Sequence, residues 1–362
     1  MSSGITQLVA VGAQDAWLTG KPEVSFFRSS YKRHTNFAHV VQRQVIQGMI
    51  NSSGMSSIRL ERKGDMLSYV YLTKKNSSGT QIAFTPNDID HIDFLIGGQI
   101  IDSQDNTFIN YVANPLLSST EQKAQFSVYQ SGETGYFYPL RFWFCENWQS
   151  SLPLIALQYH DVEIRIYWSS SINNTNIFES WANFIVLDVV EREDFASRAQ
   201  NHLIYQVQKA TPSGIKTQNL VFNHPIKFIS TGYTGNCLIG TSQTTASTTG
   251  PSNMFDTMLF QVNGVDIGEQ IAYTPHFDMV SSFYHCPVVT PTLGKPVPGG
   301  GQVFLLPFCL DTTKLQPTGT LNFSRLDSAR LVSSNSFVNN LYAVNYNILK
   351  IENGMGGMLY AN

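Results

Sequence analysis

The sequence is short of charge. Asp, Glu, Lys and Arg make up 14% of its 362 residues, against about 25% in a typical soluble domain. Cysteine is scarce: there are four, widely spaced and without a CxxC pair, which excludes a zinc knuckle or a dithiol redox motif. Cys145 and Cys309 sit in apolar runs and read as buried thiols. No apolar run reaches the roughly 18 residues of a membrane-spanning helix. "MSSGITQLVA" has neither a basic n-region nor an apolar h-region, so the expectation is a soluble protein made in a reducing cytosol. Catalytic signatures are missing too. There is no GxSxG elbow, no HxH among the eight histidines, and no Lys-Ser/Thr after the glycine-rich "GKPVPGGGQ" (294–302). No enzyme activity, metal or cofactor is expected.

What is abundant is turn chemistry between short β-type runs. The chain holds 26 Gly and 15 Pro. Runs rich in Val, Ile, Phe and Tyr recur: "TNFAHVVQRQVIQ", "SSIRLERKG", "MLSYVYLTKK", "HIDFLIGGQIID", "YFYPLRFWFC", "ALQYHDVEIRIYW" and "WANFIVLDVVE" precede residue 195. A similar spacing resumes near 204. Helical period is scarce, with short helices expected at 106–127 and 191–200. Many short strands divided by Gly, Pro and Asn predict a β-sandwich or barrel.

One stretch imitates a reaction centre. "SSLPLIALQYHDVEIRIYW" (150–168) packs His160, Asp161, Glu163 and Arg165 into six positions. From Val162, however, Val, Ile, Ile and Trp alternate with Glu, Arg and Tyr, the period of a strand buried on one side. Neighbouring strand residues point to opposite faces, so His160 and Asp161 do not converge on one ion. The stretch reads as a half-buried strand.

The pattern also repeats. "IDHIDFLIGGQIID" (89–102) matches "FDTMLFQVNGVDIG" (255–268), with Gly98 on Gly264, an offset of 264 − 98 = 166. Pro139 in "YFYPLRFWFC" falls on Pro307 in "VFLLPFCL" at 307 − 139 = 168, and Asn183 on Asn345 at 345 − 183 = 162. Between them "LPLIALQYHDVEIRI" (152–166) is set on "LQPTGTLNFSRLDSARL" (315–331), with Pro153 on Pro317 at 317 − 153 = 164. Four blocks in order predict a duplicated β-domain: an all-β chain of two consecutive eight-stranded jelly rolls with short loop helices. The expected divisions are an N-terminal arm over 1–24, a first roll over 25–200 and a second over 201–362. The charged break "EREDFASRAQNH" (191–202) marks the boundary. Whether "LIYQVQKA" (203–210) closes the first roll or opens the second stays open.

Charge is uneven. Residues 1–75 hold ten Lys or Arg and four acids, a balance of +6 against −9 for the rest, which together give the net −3. The basic end faces either something anionic or an acidic neighbouring subunit. Within the arm, Leu8, Val9, Val11, Trp17 and Leu18 are too apolar to leave in water, so the arm is expected to dock on an interior surface. N-x-[ST] sequons at Asn51, Asn76 and Asn173 lie in expected loops, and one at Asn322 in an expected strand. The three loop asparagines are the candidate glycosylation sites.

The chain resembles the major capsid proteins of the nucleocytoplasmic large DNA viruses, most closely the algal-virus (phycodnavirus) branch, and is also iridovirus-like. The segments that carry the likeness are "TQLVAVGAQDAWLTGKPEVSFFRSSYKRHTNFA" (6–38), "IGGQIID" (96–102), "PLRFWF" (139–144), "LPLIALQYHDVEI" (152–164), "FNHPIKF" (222–228), "GTLNFSRLDSARL" (319–331) and "NYNILKIENGMGGMLYAN" (345–362). The resemblance implies a double jelly roll that trimerises into pseudo-hexagonal capsomers tiling an icosahedral shell over an internal membrane. It implies neighbouring capsomers and minor capsid or penton proteins as partners, no sequence-specific nucleic-acid contact, and a place in the virion capsid after assembly in the host cytoplasm. The chain departs from the pattern in length: between Gly235 and Asn253 it has only a short Ser/Thr-rich loop, where relatives often carry longer outward loops. The alternative reading is a carbohydrate-binding double jelly-roll protein, which would show exposed aromatics on a concave face.

Overall fold

The computed structural model describes residues 2–85, 88–117, 136–231, 257–286 and 304–360. The expectations for Cys237, for the 235–253 loop, for the 294–302 turn and for helix beyond residue 117 lie outside them. By its contacts the chain forms two units, Met1–Asn36 and Phe37–Asn362.

The larger unit begins with β1 (Phe37–Gln44), β2 (Met55–Arg59), β3 (Met66–Lys75), β4 (Gln81–Ile82), β5 (Ile89–Ile96), β6 (Gln99–Asp105), β7 (Phe137–Pro139), β8 (Leu152–Pro153), β9 (Val162–Trp168) and β10 (Ile177–Leu187). It continues with β11 (Gln200–Ala210), β12 (Thr217–Asn219), β13 (Pro225–Thr231), β14 (Thr257–Val262), β15 (Val265–Ala272), β16 (Leu305–Pro307), β17 (Leu321–Asn322), β18 (Ala329–Ser333), β19 (Leu341–Glu352) and β20 (Met355–Met358).

These strands form four sheets, and the second pair copies the first. β1-β10-β3 with β7 corresponds to β11-β19-β13-β16, and β2-β9-β5-β6 to β12-β18-β14-β15. This is the double jelly roll. The short strands β4 and β8 ride on β3, and β17 and β20 on β13 and β19, so each roll carries two strands beyond eight. β11, which contains 203–210, pairs along its whole length with β19 and so belongs to the second pair of sheets. A helix at Val189–Ser197, with Asp188 accepting from the Val189 amide, precedes it.

The register shows the duplication at residue level and corrects one alignment. β5 turns into β6 through Gly97 and Gly98, and β14 into β15 through Asn263 and Gly264, all four with φ between +51 and +81. A two-residue hairpin with a type I′ turn needs positive φ at both turn positions, which Gly and Asn tolerate. Gly98 and Gly264 are therefore equivalent. So are Pro139 and Pro307, opposite Tyr71 of β3 and Phe228 of β13. The third block is shifted: Val162 pairs with Ile96 and Ala329 with Val262, an offset of 329 − 162 = 167, not 164. Two backbone bonds agree, Gly97 N to Asp161 O and Asn263 N to Ser328 O. Pro153 and Pro317 matched by residue type alone. His160 then corresponds to Asp327, and the polar cluster is still not repeated.

"YFYPLRFWFC" is less regular than expected. Only Phe137–Pro139 is strand, and Trp143–Glu146 makes one helical turn that buries Trp143 and Phe144. The Phe94, Phe142, Trp143 and Phe144 rings lie 4.9–6.0 Å apart, and this aromatic packing replaces strand pairing. The expected helix after residue 106 is present as far as Leu117, with a π-helical stretch at Ile109–Ala113.

The first core does not stop at the first roll. Phe94, Ile164, Ile166 and Leu157 belong to one buried cluster with Ile204, Phe228, Leu305, Tyr342, Val344, Leu349 and Ile351 of the second pair of sheets. A smaller cluster around Phe260, Phe304 and Leu331 fills the second roll itself. Cys309 is buried and Cys145 half-buried.

In the smaller unit the expected arm is in part helical, at Ser2–Val9 and Ala16–Thr19. Helices this short are marginal in water by themselves. Trp17 is 91% and Phe27 98% exposed.

Candidate assembly site

The polar stretch at 157–165 divides into a strand and a clasp. β9 buries Val162, Ile164, Ile166 and Trp168 and leaves Glu163, Arg165 and Tyr167 half-buried, as its alternation predicts. Glu163 and Arg165 pair with each other, Oε1 to Nε at 3.0 Å. Asp161 binds Arg59 at 2.6 Å on the surface. His160 precedes the strand and turns away from both. Its Nδ1 lies 2.9 Å from the Gly356 carbonyl oxygen, 196 residues further along the chain. The Tyr159 amide donates to the Gly354 carbonyl at 2.9 Å. The four residues do not gather on one point. Among the described residues no group of three or more His, Cys, Asp or Glu is placed to hold a metal ion.

What they help build is a seam between the rolls. From the first roll, β6 offers Asp102, Gln104 and Asp105. From the second, β11 and β19 offer the Val207 amide, Lys209 and Tyr342. Asp102 Oδ1 accepts from Val207 N at 2.9 Å, and its Oδ2 from Gln104 Nε2 at 2.7 Å. Asp105 Oδ2 receives Lys209 Nζ at 2.8 Å and the Tyr342 hydroxyl at 2.7 Å. Gln206 donates to the Ile101 carbonyl, and Asn347 Nδ2 donates to Gln206 Oε1. Thr312 Oγ1 donates to the Leu116 carbonyl at 2.8 Å. Burial pushes the Asp102 carboxyl up to about 7, against the pull of its hydrogen bonds from Val207 and Gln104.

Close by, a cavity of about 280 Å³ is lined by Glu146, Tyr205, Lys227, Lys314 and Tyr346. Lys227 is buried and donates to the Thr312 carbonyl at 2.6 Å. Desolvation lowers its pKa, against the pull of nearby acidic groups. Arg141 and Glu146 pair at 2.9 Å, and burial raises the Glu146 carboxyl. None of these residues was singled out in the sequence. The available signal is Gln and Asn within β-patterned runs, as in "LIYQVQKA" and "VNYNIL", and polar positions on a strand ordinarily mark an exposed face.

The candidate arm and glycosylation residues are scattered. Leu8, Val9, Val11, Trp17 and Leu18 are all exposed within the N-terminal unit. Asn51 is exposed in the turn before β2, and Asn173 is exposed in the turn before β10. Asn76, half-buried after β3, accepts from Ser78 N and Thr80 N through Oδ1. Asn173 Oδ1 accepts from Thr175 N. Asn322 is exposed at the end of β17.

Two family models match the chain in succession. The major capsid protein N-terminus covers residues 25–201, and the large eukaryotic DNA virus major capsid protein covers 191–357. The chain is 30% identical over 448 residues to the major capsid protein of Paramecium bursaria Chlorella virus 1, and 30% identical over 412 residues to that of Pyramimonas orientalis virus. In both comparisons the two chains are covered in full. Among solved structures, it superposes on the chain of a quasi-atomic model of the PBCV-1 virus capsid with TM-score 0.74 and 26% identity, over 93% of this chain and 100% of that one. The Faustovirus major capsid protein shares the fold, with TM-score 0.63 at 11% identity. Two copied rolls fused through one core, matched end to end by these relatives, place the chain in the large eukaryotic DNA virus major capsid protein family, as a structural component of the virion capsid.

Proposed function

We propose that three copies of the chain close into a ring of six jelly rolls, a pseudo-hexagonal capsomer that tiles an icosahedral shell. The division into rolls at 25–200 and 201–362 makes each chain two of the six positions. The observation that carries this is the copied strand order of the two pairs of sheets, because a ring of near-equivalent units needs near-equivalent parts. Closed symmetry with two rolls per chain requires three chains, and obligate contacts of this kind bury more than about 2,000 Å². Light scattering of the soluble protein is expected to give three times the 40.4 kDa chain mass. A stable monomer at assembly concentrations overturns the proposal.

In this reading the N-terminal arm works at the inside of the shell. Leu8, Val9, Val11, Trp17 and Leu18 dock against a minor capsid or penton protein or a neighbouring capsomer, and Arg28, Lys32 and Arg33 lie toward an internal membrane. Assembly takes place in the host cytoplasm. Exposed apolar side chains on a segment too short to fold by itself support the docking role. Deleting residues 2–20 is expected to leave trimers that build shells poorly. Failure to trimerise instead assigns the arm to the trimer. Glycans at Asn51, Asn76 or Asn173 are tested by intact mass of virion-derived protein.

A further inference from the structure

Each half of the seam between the rolls has a copy elsewhere in the chain, and both copies are uncovered. Within the seam, the first roll lays β6 and the helical segment 106–117 on the outward face of β11, β19, β13 and β16. The strand alternation shows which face this is. On β19, Tyr342 and Val344 enter the seam cluster, while Leu341 and Ala343 enter the second roll's own core. Leu116 lies fully buried in the seam cluster with Phe228, Leu305 and Val344. The Phe108 ring lies 5.7 Å from that of Tyr342.

The covering half is repeated in the second roll. β6 runs into helical turns at Asn106–Phe108, a π-helical stretch at Ile109–Ala113 and a turn at Asn114–Leu117. β15 runs into Tyr273–Pro275, a π-helical stretch at His276–Val280 and Ser281–His285. π-helical stretches are rare, so their repetition at 276 − 109 = 167 fixes the alignment. Phe108 then falls on Pro275, Leu116 on Phe283 and Leu117 on Tyr284. Leu116 is fully buried, whereas Phe283 is 69% and Tyr284 71% exposed. Val265 and Ile267 of β15 are exposed beside them.

The receiving half is repeated in the first roll. Tyr71 stands opposite Pro139 and Trp181, as Phe228 stands opposite Pro307 and Val344. Phe137, two residues before Pro139, takes the place of Leu305. In the second roll these positions are buried under the first. In the first roll Tyr71, Phe137 and Trp181 line a groove of about 760 Å³ together with Tyr69 and Asn114. The Tyr71 and Phe137 rings meet edge-on at 6.3 Å. Asn114 is 7% exposed, and its Nδ2 donates to nothing in the described structure; a buried donor without an acceptor is costly.

We infer that β15 and the 273–285 helical segment of one copy pack on the β1-β10-β3-β7 face of the next, with Phe283 and Tyr284 entering the aromatic groove. This rests on the trimer reading and assigns the surfaces that build it. The seam inside the chain is the template for the joint between chains. The contact is heterologous: the second roll always covers and the first always receives, so three copies close a ring. Two grooves set face to face would leave both hollow, whereas exposed rings fill one. The Tyr284 hydroxyl also brings an oxygen into the groove where Asn114 Nδ2 has no acceptor. The charges of the template are altered. Asp105, which holds Lys209 and Tyr342 across the seam, falls on Ala272 at the same offset. Tyr342, two residues before Val344, falls on Glu179, two before Trp181. Glu179 is already matched in its own chain by Lys75 at 2.8 Å and Arg43 at 3.4 Å, so it asks for no charge from the neighbouring copy.

The test uses the full-length chain. Pro275→Cys and Glu179→Cys are made singly and together, because their counterparts Phe108 and Tyr342 are in ring contact within the seam. Under mild oxidation the double variant is expected to give covalent dimers and trimers on a denaturing gel. The two single variants co-expressed should give covalent dimers only, and each alone no cross-link beyond wild type. Phe283→Asp, at a position exposed in the chain, should lower the mass in light scattering from three chains to one with an unchanged circular dichroism spectrum. Trimers in which the double variant forms no link between chains overturn the inference and leave the trimer standing. So does a Phe283→Asp chain that stays trimeric. Cross-linking between two copies of one single variant makes the contact isologous and overturns it as well. A wild-type chain that stays monomeric removes the trimer, and this inference with it.

Discussion

His160 and Gly356 join the two rolls at a single backbone unit: the ring Nδ1 lies 2.9 Å from the Gly356 carbonyl oxygen and 3.2 Å from its amide nitrogen. Protonated at Nδ1 the ring donates to the carbonyl, and unprotonated there it accepts from the amide. Gly97 leaves the space the ring occupies. A Cβ on Gly97 would stand 2.6 Å from Nδ1, at a φ of +57. His160→Ala is expected to cost about 1 kcal/mol in chemical denaturation, the worth of one hydrogen bond. Gly97→Ala should cost more, and the double variant less than the sum, because removing the ring removes the clash. Strict additivity contradicts this account of the seam.

β9 separates core from surface one residue at a time. Ile164→Asp puts an unpaired carboxylate at a fully buried position and should abolish soluble expression. Arg165→Ala, next to it on the opposite face and ion-paired with Glu163, should stay within about 0.5 kcal/mol of wild type. Equal effects at the two positions mean the strand register is wrong.

Lys74 and Asp88 form a buried pair, each side chain 5% exposed, with Nζ 2.8 Å from Oδ2 and 3.0 Å from Oδ1. Lys74→Met leaves Asp88 charged and uncompensated, and is expected to cost about 3–5 kcal/mol. Asp88→Asn in the same chain should recover a good part of that, since Oδ can still accept from the Thr85 amide. A thermal melt series over the two single variants and the double variant decides it.

Asp102 gives a pH dependence with a definite sign. Its carboxyl rises from 3.8 to about 7 on folding, so the folded state holds a proton that the unfolded state has released. Its contribution is fully present below about pH 4 and is lost as pH rises toward 7, a change of a few kcal/mol. Asp102→Asn keeps an oxygen for the Val207 amide and removes the titration. The stability difference between wild type and variant should therefore shift in the variant's favour between pH 4 and 7. A difference flat across that window contradicts the assignment.

The β-architecture was legible because it rests on local signals. Alternation in "VEIRIYW" and paired turn residues at Gly97-Gly98 and Asn263-Gly264 depend on neighbours two or three positions away, and both give the observed elements. The third repeat was set three residues off because a proline coincidence outweighed a hairpin register that only pairing reveals. The seam was not legible. His160 meets Gly356 and Asp102 meets Val207 only after both rolls have formed, and nothing local distinguishes a buried glutamine such as Gln206 from one on a solvated strand face. Tyr69, Tyr71, Phe137 and Trp181 come from three separate runs that only the sheet brings side by side.

The shared core has a mechanical consequence. Side chains from both pairs of sheets interlock in one close-packed cluster, and close-packed interiors resist compression and shear. A hinge between the two rolls would have to open that cluster, so the Phe37–Asn362 unit moves as one stiff body. In a shell of such copies, curvature and the strain of swelling or drying would fall on the contacts between copies before this core shears.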